Sequence, residues 1–136
     1  MAVTISIKTH GGGLYEITDE VRTALRDLEV EEGICCVFIQ HTSASLIIQE
    51  NADPSAKRDL ERWLDRLVVK NDPLFTHTAE GPDDMPSHIK AALTATSIVI
   101  PVSNSELTLG TWQGIYLWEH RDRAHNRRVV VSAVGR

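Results

Sequence analysis

The chain predicts an α+β fold with a largely antiparallel sheet, and three features of the sequence carry that expectation. Short β-type segments cluster at both ends of the chain, two helical periodicities lie between them, and the strands never alternate with helices in the way that builds a parallel sheet. At 136 residues the chain suits one domain covering residues 1–136, with no composition shift, repeat or linker to divide it.

Val3, Ile5 and Ile7 alternate with Thr4, Ser6 and Lys8, the period of a strand with one buried face. Gly11 to Gly13 then turn the chain toward Leu14 to Ile17, so an opening β-hairpin is expected. No Gly-Lys-Ser/Thr follows the glycines, and a phosphate cradle is not indicated. Thr18 or Asp19 can cap a helix with Val21, Leu25 and Leu28 on one face, ended by Gly33. Ile34 to Gln40 is nearly continuous in apolar residues, which predicts a central strand covered on both faces. Leu46 to Ile48 forms another strand. Asp53-Pro54 is a helix start, with Asp53 capping and Pro54 in the first turn, and Leu60, Trp63, Leu64 and Leu67 recur at helical spacing.

Asn71 to Met85 reads as a long loop, rich in proline and turn formers. Pro86 then opens a short helix over Ser87 to Ala95 that buries Ile89, Ala92 and Leu93. Strands at Ser97 to Val102, at Thr108 to His120 with a break at the glycines, and at Arg127 to Val134 close the domain, with Asn104-Ser105 and Arg121 to Asn126 as turns.

Composition narrows the function. Fourteen Lys and Arg against nineteen Asp and Glu give a net charge of −5, which argues against a nucleic-acid partner. No stretch approaches the ~18 apolar residues of a membrane span, and the N-terminus has no basic segment followed by an apolar one, so the cytoplasm and no membrane partner are expected. Cys35 and Cys36 are adjacent, offer neither a disulfide framework nor a metal clip, and read as reduced packing residues.

Polar residues gather at three interruptions of regular structure. His41-Thr42-Ser43-Ala44-Ser45 ends an apolar strand, where a histidine is rigidly held yet able to face outward; the plain alternative is a loop hydrogen bond. His77, Glu80, Asp83, Asp84 and His88 run from the long loop into a helix start, whose positive end disfavours imidazolium; Asp83 or Asp84 can instead be capping groups. Gly110-Thr111-Trp112-Gln113-Gly114 breaks a strand, and Trp112 can stack on a planar ligand or simply pack. Glu119 and His120 should point to opposite faces of their strand. A serine hydrolase based on Ser43 or Ser45 lacks the G-x-S-x-G elbow. His41, His77 and His88, with Glu50, Asp53 or Asp84, supply ligands for zinc or another divalent ion, though no HExxH spacing joins them.

The pieces HTSASL at His41 to Leu46, ENADP at Glu50 to Pro54, EGPDDMPSHIKA at Glu80 to Ala91 and GTWQGIYLWEHR at Gly110 to Arg121 together resemble the YjbQ family, the secondary thiamine-phosphate synthases. The resemblance spans roughly residues 3 to 135. It implies antiparallel sheets packed as a sandwich-like core with two main helices and one short helix, assembled as a homotrimer. It also implies a transferase that joins a pyrimidine diphosphate to a thiazole phosphate with release of pyrophosphate. On the matching motifs it nominates His41, His88 and Asp84 as catalytic, with Thr42, Ser43, Asn51, Lys90, Thr111, Trp112 and Gln113 as substrate-binding. The reaction calls for Mg²⁺ or several cations, and the motifs bring Lys90, Arg121 and Arg58. Beside the enzyme stands a second class, a non-catalytic binder of a metal, small anion or metabolite with incidental transferase activity.

Overall fold

The computed structural model describes every residue from Met1 to Arg136. Strands β1 (Ala2–Thr9), β3 (Gly33–Ile39), β5 (Ser97–Ser103), β6 (Glu106–Leu107) and β8 (His125–Gly135) form one sheet in the order β1-β8-β3-β5-β6. Strands β2 (Gly13–Glu16), β4 (Ala44–Glu50) and β7 (Gln113–Glu119) form a second, in the order β2-β7-β4. Every strand pair is antiparallel. The helices are α1 (Thr18–Leu28), α2 (Pro54–Leu67) and α3 (Asp84–Leu93), and none is long and apolar enough to cross a membrane.

The two sheets and α1 share one apolar core. Val37, Ile39, Ile100, Val129 and Val131 come from the large sheet, Leu46, Ile115 and Leu117 from the small one, and Val21 and Leu25 from the helix. Burying such residues drives the sheets together at ~25 cal/mol per Å² of apolar surface. The far face of the small sheet holds a second cluster, in which Leu14, Tyr116 and Trp118 pack under Leu64 of α2 and the following Val68. Strand alternation explains the division, since Ile115, Leu117 and Glu119 face inward while Tyr116, Trp118 and the following His120 face the helices.

Several local expectations need correction. The opening strands do not form a hairpin: β1 pairs with β8, whereas β2 pairs with β7 in the other sheet. The periodicity identifies strands but not their partners. Central position does not cover β3 on both faces either. Cys35, Val37 and Ile39 are buried, but Ile34 and Phe38 are 48% and 44% exposed, so the run has one core face and one apolar outer face.

Neither Thr18 nor Asp19 caps α1, because Ile17 holds the cap position with no side-chain bond. The Thr18 hydroxyl instead accepts the Ile115 N–H and donates to Glu16. Asp53 caps α2 as expected, accepting the Ser55 N–H at 2.9 Å. α3 begins before Pro86, at Asp84, and buries Pro86, Ser87 and Ala91 rather than Ala92 and Leu93. β7 begins only at Gln113, leaving Thr108 to Trp112 irregular. Tyr116 and Trp118 are buried, and Trp112 alone of the three aromatic residues is exposed.

At the open end of the large sheet Gly33 of β3 pairs with Gly135 of β8. A Cβ on Gly33 would lie 2.0 Å from the Val134 carbonyl oxygen, and backbone cannot yield as a side chain can. Gly33→Ala is therefore expected to destabilise the chain by about 3 kcal/mol or more, read from denaturant midpoints; a loss within experimental error would contradict this packing.

Candidate functional site

The first turn of α3 brings Asp84 and His88 to one helix face, four residues apart, and the loop before it delivers His77 to the same place. Asp84 Oδ2 lies 2.6 Å from His77 Nε2 and 3.2 Å from His88 Nε2. Its other oxygen, Oδ1, accepts from Arg121 Nη1 at 2.5 Å. Arg121 also donates from Nε to Asp83 Oδ2 at 2.9 Å and from Nη2 to the Glu80 carbonyl at 3.0 Å. The guanidinium thus pins both aspartates to the end of β7.

Burial of Asp84 works to raise its pKa, but the His77 hydrogen bond and the charges of His88 and Arg121 outweigh it and hold the carboxyl below its ordinary value. One ligand atom from each of His77, Asp84 and His88 falls within 4.8 Å of the other two. The Asp84 side chain is 3% exposed, whereas those of His77 and His88 are 47% and 33% exposed. A buried carboxylate therefore anchors two imidazoles whose outer side is open. Two nitrogens and one oxygen are a zinc-like or other borderline-metal donor set. They are not the all-oxygen environment that Mg²⁺ prefers, so the donor set does not fit the expected Mg²⁺.

His41 belongs to a different constellation. Its Nε2 accepts the Arg128 N–H at 2.8 Å, and Arg127 Nη1 stands 3.3 Å from its Nδ1. A neutral imidazole has one acceptor nitrogen, and the shorter contact takes it. Burial, then the Arg127 charge, lower the pKa of His41 and favour that neutral form. Around it, Arg127 donates to both oxygens of the buried Glu119, to the Ser43 hydroxyl at 2.9 Å and toward the Ser43 carbonyl. Thr9 donates to Glu119 Oε1 at 2.6 Å. His41 is thus tied into the sheet junction and does not join His77 and His88 as a third metal ligand.

A third pair was not anticipated. Ser45 Oγ lies 2.9 Å from His120 Nε2, and both residues are buried. Burial lowers the His120 pKa to about 3, with the nearby Lys90 charge adding to the effect. Ser45 is wholly buried, so it offers no exposed hydroxyl for hydrolase chemistry. Alternation along β7 places His120 on the helix face, but nothing local marks Ser45 as its partner.

The remaining nominated residues divide between the two ends of β7. Ser43 and the exposed Thr42 lie with His41 at the end where Ala44 pairs with Glu119. Asn51 donates to Glu16 Oε2 at 3.1 Å at the opposite end, where its N–H also bonds the Trp112 carbonyl. Thr111, Trp112 and Gln113 form the turn there, closed by the Gly110 N–H donating to Gln113 Oε1 at 2.7 Å. A strand advances ~3.3 Å per residue, so the seven residues of β7 put about 20 Å of rigid strand between Trp112 and Arg121 within one chain. Lys90 faces away from His88 and pairs with Asp65 at 2.6 Å.

The model of the family described as UPF0047 protein, YjbQ-like, matches residues 3–136. A Synechocystis UPF0047 protein is 48% identical over 129 residues, covering 95% of this chain and 88% of its own. The YjbQ protein of Escherichia coli is 41% identical over 133 residues, covering 97% and 96%. A crystal structure of an uncharacterized YjbQ/UPF0047 protein from Clostridium acetobutylicum superposes with a TM-score of 0.88 at 37% identity, covering 97% of this chain and 99% of that one.

The burial of His120 makes stability depend on pH. The unfolded histidine takes a proton below its ordinary 6.5, while the folded one resists until about 3. The contribution is complete above pH 6.5 and falls on acidification by about 1.4 kcal/mol per pH unit. Urea unfolding at several pH values should show this slope in the wild type and a shallower one in His120→Gln; equal slopes would mean that the folded chain protonates His120 normally.

Proposed function

The chain belongs to the YjbQ-like UPF0047 family, and from that premise we propose that it is a divalent-metal-dependent transferase acting on small phosphorylated heterocycles. The observation that carries the proposal is the meeting of His77, Asp84 and His88 ligand atoms within 4.8 Å around a carboxylate whose second oxygen is already held by Arg121. When bound, the metal supplies Lewis-acid polarisation of a phosphate oxygen. Asp84 orients both imidazoles, and Arg121 keeps Asp84 ionised and in place. His77 and His88 would hold such an ion through ring nitrogens and Asp84 through a carboxylate oxygen, all in deprotonated form, so its binding would depend on pH. Within this reading the reaction is that of a secondary thiamine-phosphate synthase, with a pyrimidine diphosphate and a thiazole phosphate as substrates and pyrophosphate as leaving group, in the cytoplasm.

One observation favours the second reading, a binder of metal or metabolite without efficient turnover. Arg121 and Arg127 are each engaged by enclosed carboxylates of the same chain, so few cations are free to receive departing pyrophosphate.

We also propose the homotrimer. Ile34, Phe38, Val99 and Val134, all more than two-fifths exposed, lie on the outer face of paired strands β3, β5 and β8, a contiguous apolar surface suited to burial against further copies. Such an assembly offers a way to bring the Trp112 end of one copy toward the histidine pair of another.

Protein purified without a tag should hold about one zinc-like divalent ion per chain by elemental analysis. His88→Ala and Asp84→Asn should lose it, and Arg121→Lys should weaken it roughly 10–100-fold. Unchanged metal content in both ligand variants would remove the metal centre. With metal restored, turnover of the two thiamine precursors should drop about 100-fold or more in His88→Ala; metal binding without turnover in the wild type would establish the binder instead. Light scattering should give a trimer that Phe38→Asp dissociates, and a wild-type monomer would exclude the assembly.

A further inference from the structure

Between α2, α3 and the end of β7 lies a cleft of about 320 Å³, continued by a smaller cavity of about 190 Å³, with Asp65, Lys90, His120 and Asp122 lining both. His120, 5% exposed, forms its floor. Its Nε2 is taken by Ser45, whose buried hydroxyl has no other partner. A buried hydroxyl hydrogen left unbonded is costly, so Ser45 donates to Nε2 and the ring proton resides on Nδ1. No buried side-chain nitrogen or oxygen lacks a partner. Nδ1 has none, so it keeps solvent contact and presents its N–H to the cleft.

The walls add donors in a particular way. The Lys90 side chain is 11% exposed, while that of its partner Asp65 is 72% exposed. The cation is enclosed and the anion is exposed. On the other wall Lys70 pairs with Asp122, both about half exposed. Of the acids lining the larger cavity the most enclosed, Asp83, is occupied by Arg121 and by the Asp122 N–H, and the smaller cavity adds Glu119, held by Arg127, and Glu61, which accepts the Leu14 N–H. Asp65 and Asp122 thus place a carboxylate oxygen at each of two ammonium groups, and the His120 N–H has no partner within the chain.

We propose that this cleft is a phosphate subsite for a small phosphate monoester. Lys90 and His120 Nδ1–H are its fixed donors, Lys70 is a third, and Val68, Val69 and Pro86 receive the apolar body. A phosphate monoester offers three terminal oxygens in a tetrahedral arrangement, one for each donor, where the two oxygens of a carboxylate lie in one plane. The inference rests on the proposed function for the phosphorylated character of the substrate, while the anion chemistry stands on the donors of the cleft itself.

The test is calorimetric titration of the full chain with inorganic phosphate and with phenyl phosphate, in chelator. Both should bind, the ester more tightly. Lys90→Gln should weaken binding about ten-fold or more, the worth of one charged hydrogen bond. His120→Gln, which keeps a group near Nε2 but withdraws the Nδ1 donor, should weaken it, and His120→Asn, which restores a donor there, should bind more tightly than His120→Gln. Asp65→Asn, at an exposed position, should tighten binding several-fold. No saturable binding of either probe, binding of inorganic phosphate but not the ester, or an Asp65→Asn variant that binds no better would overturn the subsite. Binding lost in chelator or in His88→Ala would also overturn it, because the anion would then sit on the metal and the proposed function would stand without this cleft. Retained binding in His88→Ala supports the subsite even if the metal centre fails.

Discussion

The buried pair of Arg127 and Glu119 is the constraint on which the functional end of the molecule depends. It joins β8 of the large sheet to β7 of the small one, with both side chains almost fully enclosed. Such a pair is not in itself a strong source of stability, since desolvation cancels much of the attraction, but removing one partner leaves a buried charge at a cost of ~3–5 kcal/mol. Its larger role here is organisational. Burial works to raise the Glu119 pKa, yet Arg127, Thr9 and the Arg121 N–H together hold it ionised. The carboxylate therefore fixes β1, β8 and the exit of β7 at one point. Arg127 uses its remaining donors on Ser43, which sets the chain between β3 and β4 and places His41 beside it.

From that point the order passes outward through Arg121. Its backbone N–H is held at 3.1 Å by Glu119 while its side chain reaches Asp83 and Asp84. A strand end thus determines where a helix begins, and the helix start determines where His88 sits. The histidine pair rests on rigid elements on two sides, with only His77 coming from a loop. Precision of this kind is what a metal or proton-transfer site requires. It also separates stability from chemistry, because the Glu119 charge lies in the core and the Asp84 charge at its margin.

The sequence made the elements legible and the partnerships much less so. Alternation at Val3, Ile5 and Ile7 and the Asp53-Pro54 start identified β1 and α2 because both signals are local. The assignment of β1 and β2 to different sheets was not readable, since period two is indifferent to which strand lies alongside. The apolar run in β3 suggested two covered faces, but Ile34 and Phe38 reach solvent in the single chain, and apolar content alone does not distinguish a core from a surface. Asp84 and His88 were legible as a helix-start pair. His77 stood among the candidate ligands, but a loop carries no periodicity to show that it is aimed at Asp84 rather than at His41. His41 and His88 looked equivalent as histidines at element ends, yet Arg127 and the Arg128 N–H draw the first into the sheet junction. Trp112 was nominated with the histidines by the resemblance, and the stiffness of β7 carries it to the other end.

The step from Asp83 to Asp84 couples the proposed metal centre to the cleft on the other side of α3. Asp84 faces the histidines, Asp83 lines the cleft, and a single guanidinium grips both. Asp83 further holds the N–H of Asp122, whose carboxylate covers Lys70. Displacing the Asp122 side chain from Lys70 leaves that backbone bond in place, so an anion could enter without loosening the Arg121 grip on Asp84. Loss of Arg121 would release both aspartates together, whereas loss of Lys90 would touch only the cleft. The proposed metal centre and the proposed subsite therefore share a scaffold but not their donor side chains.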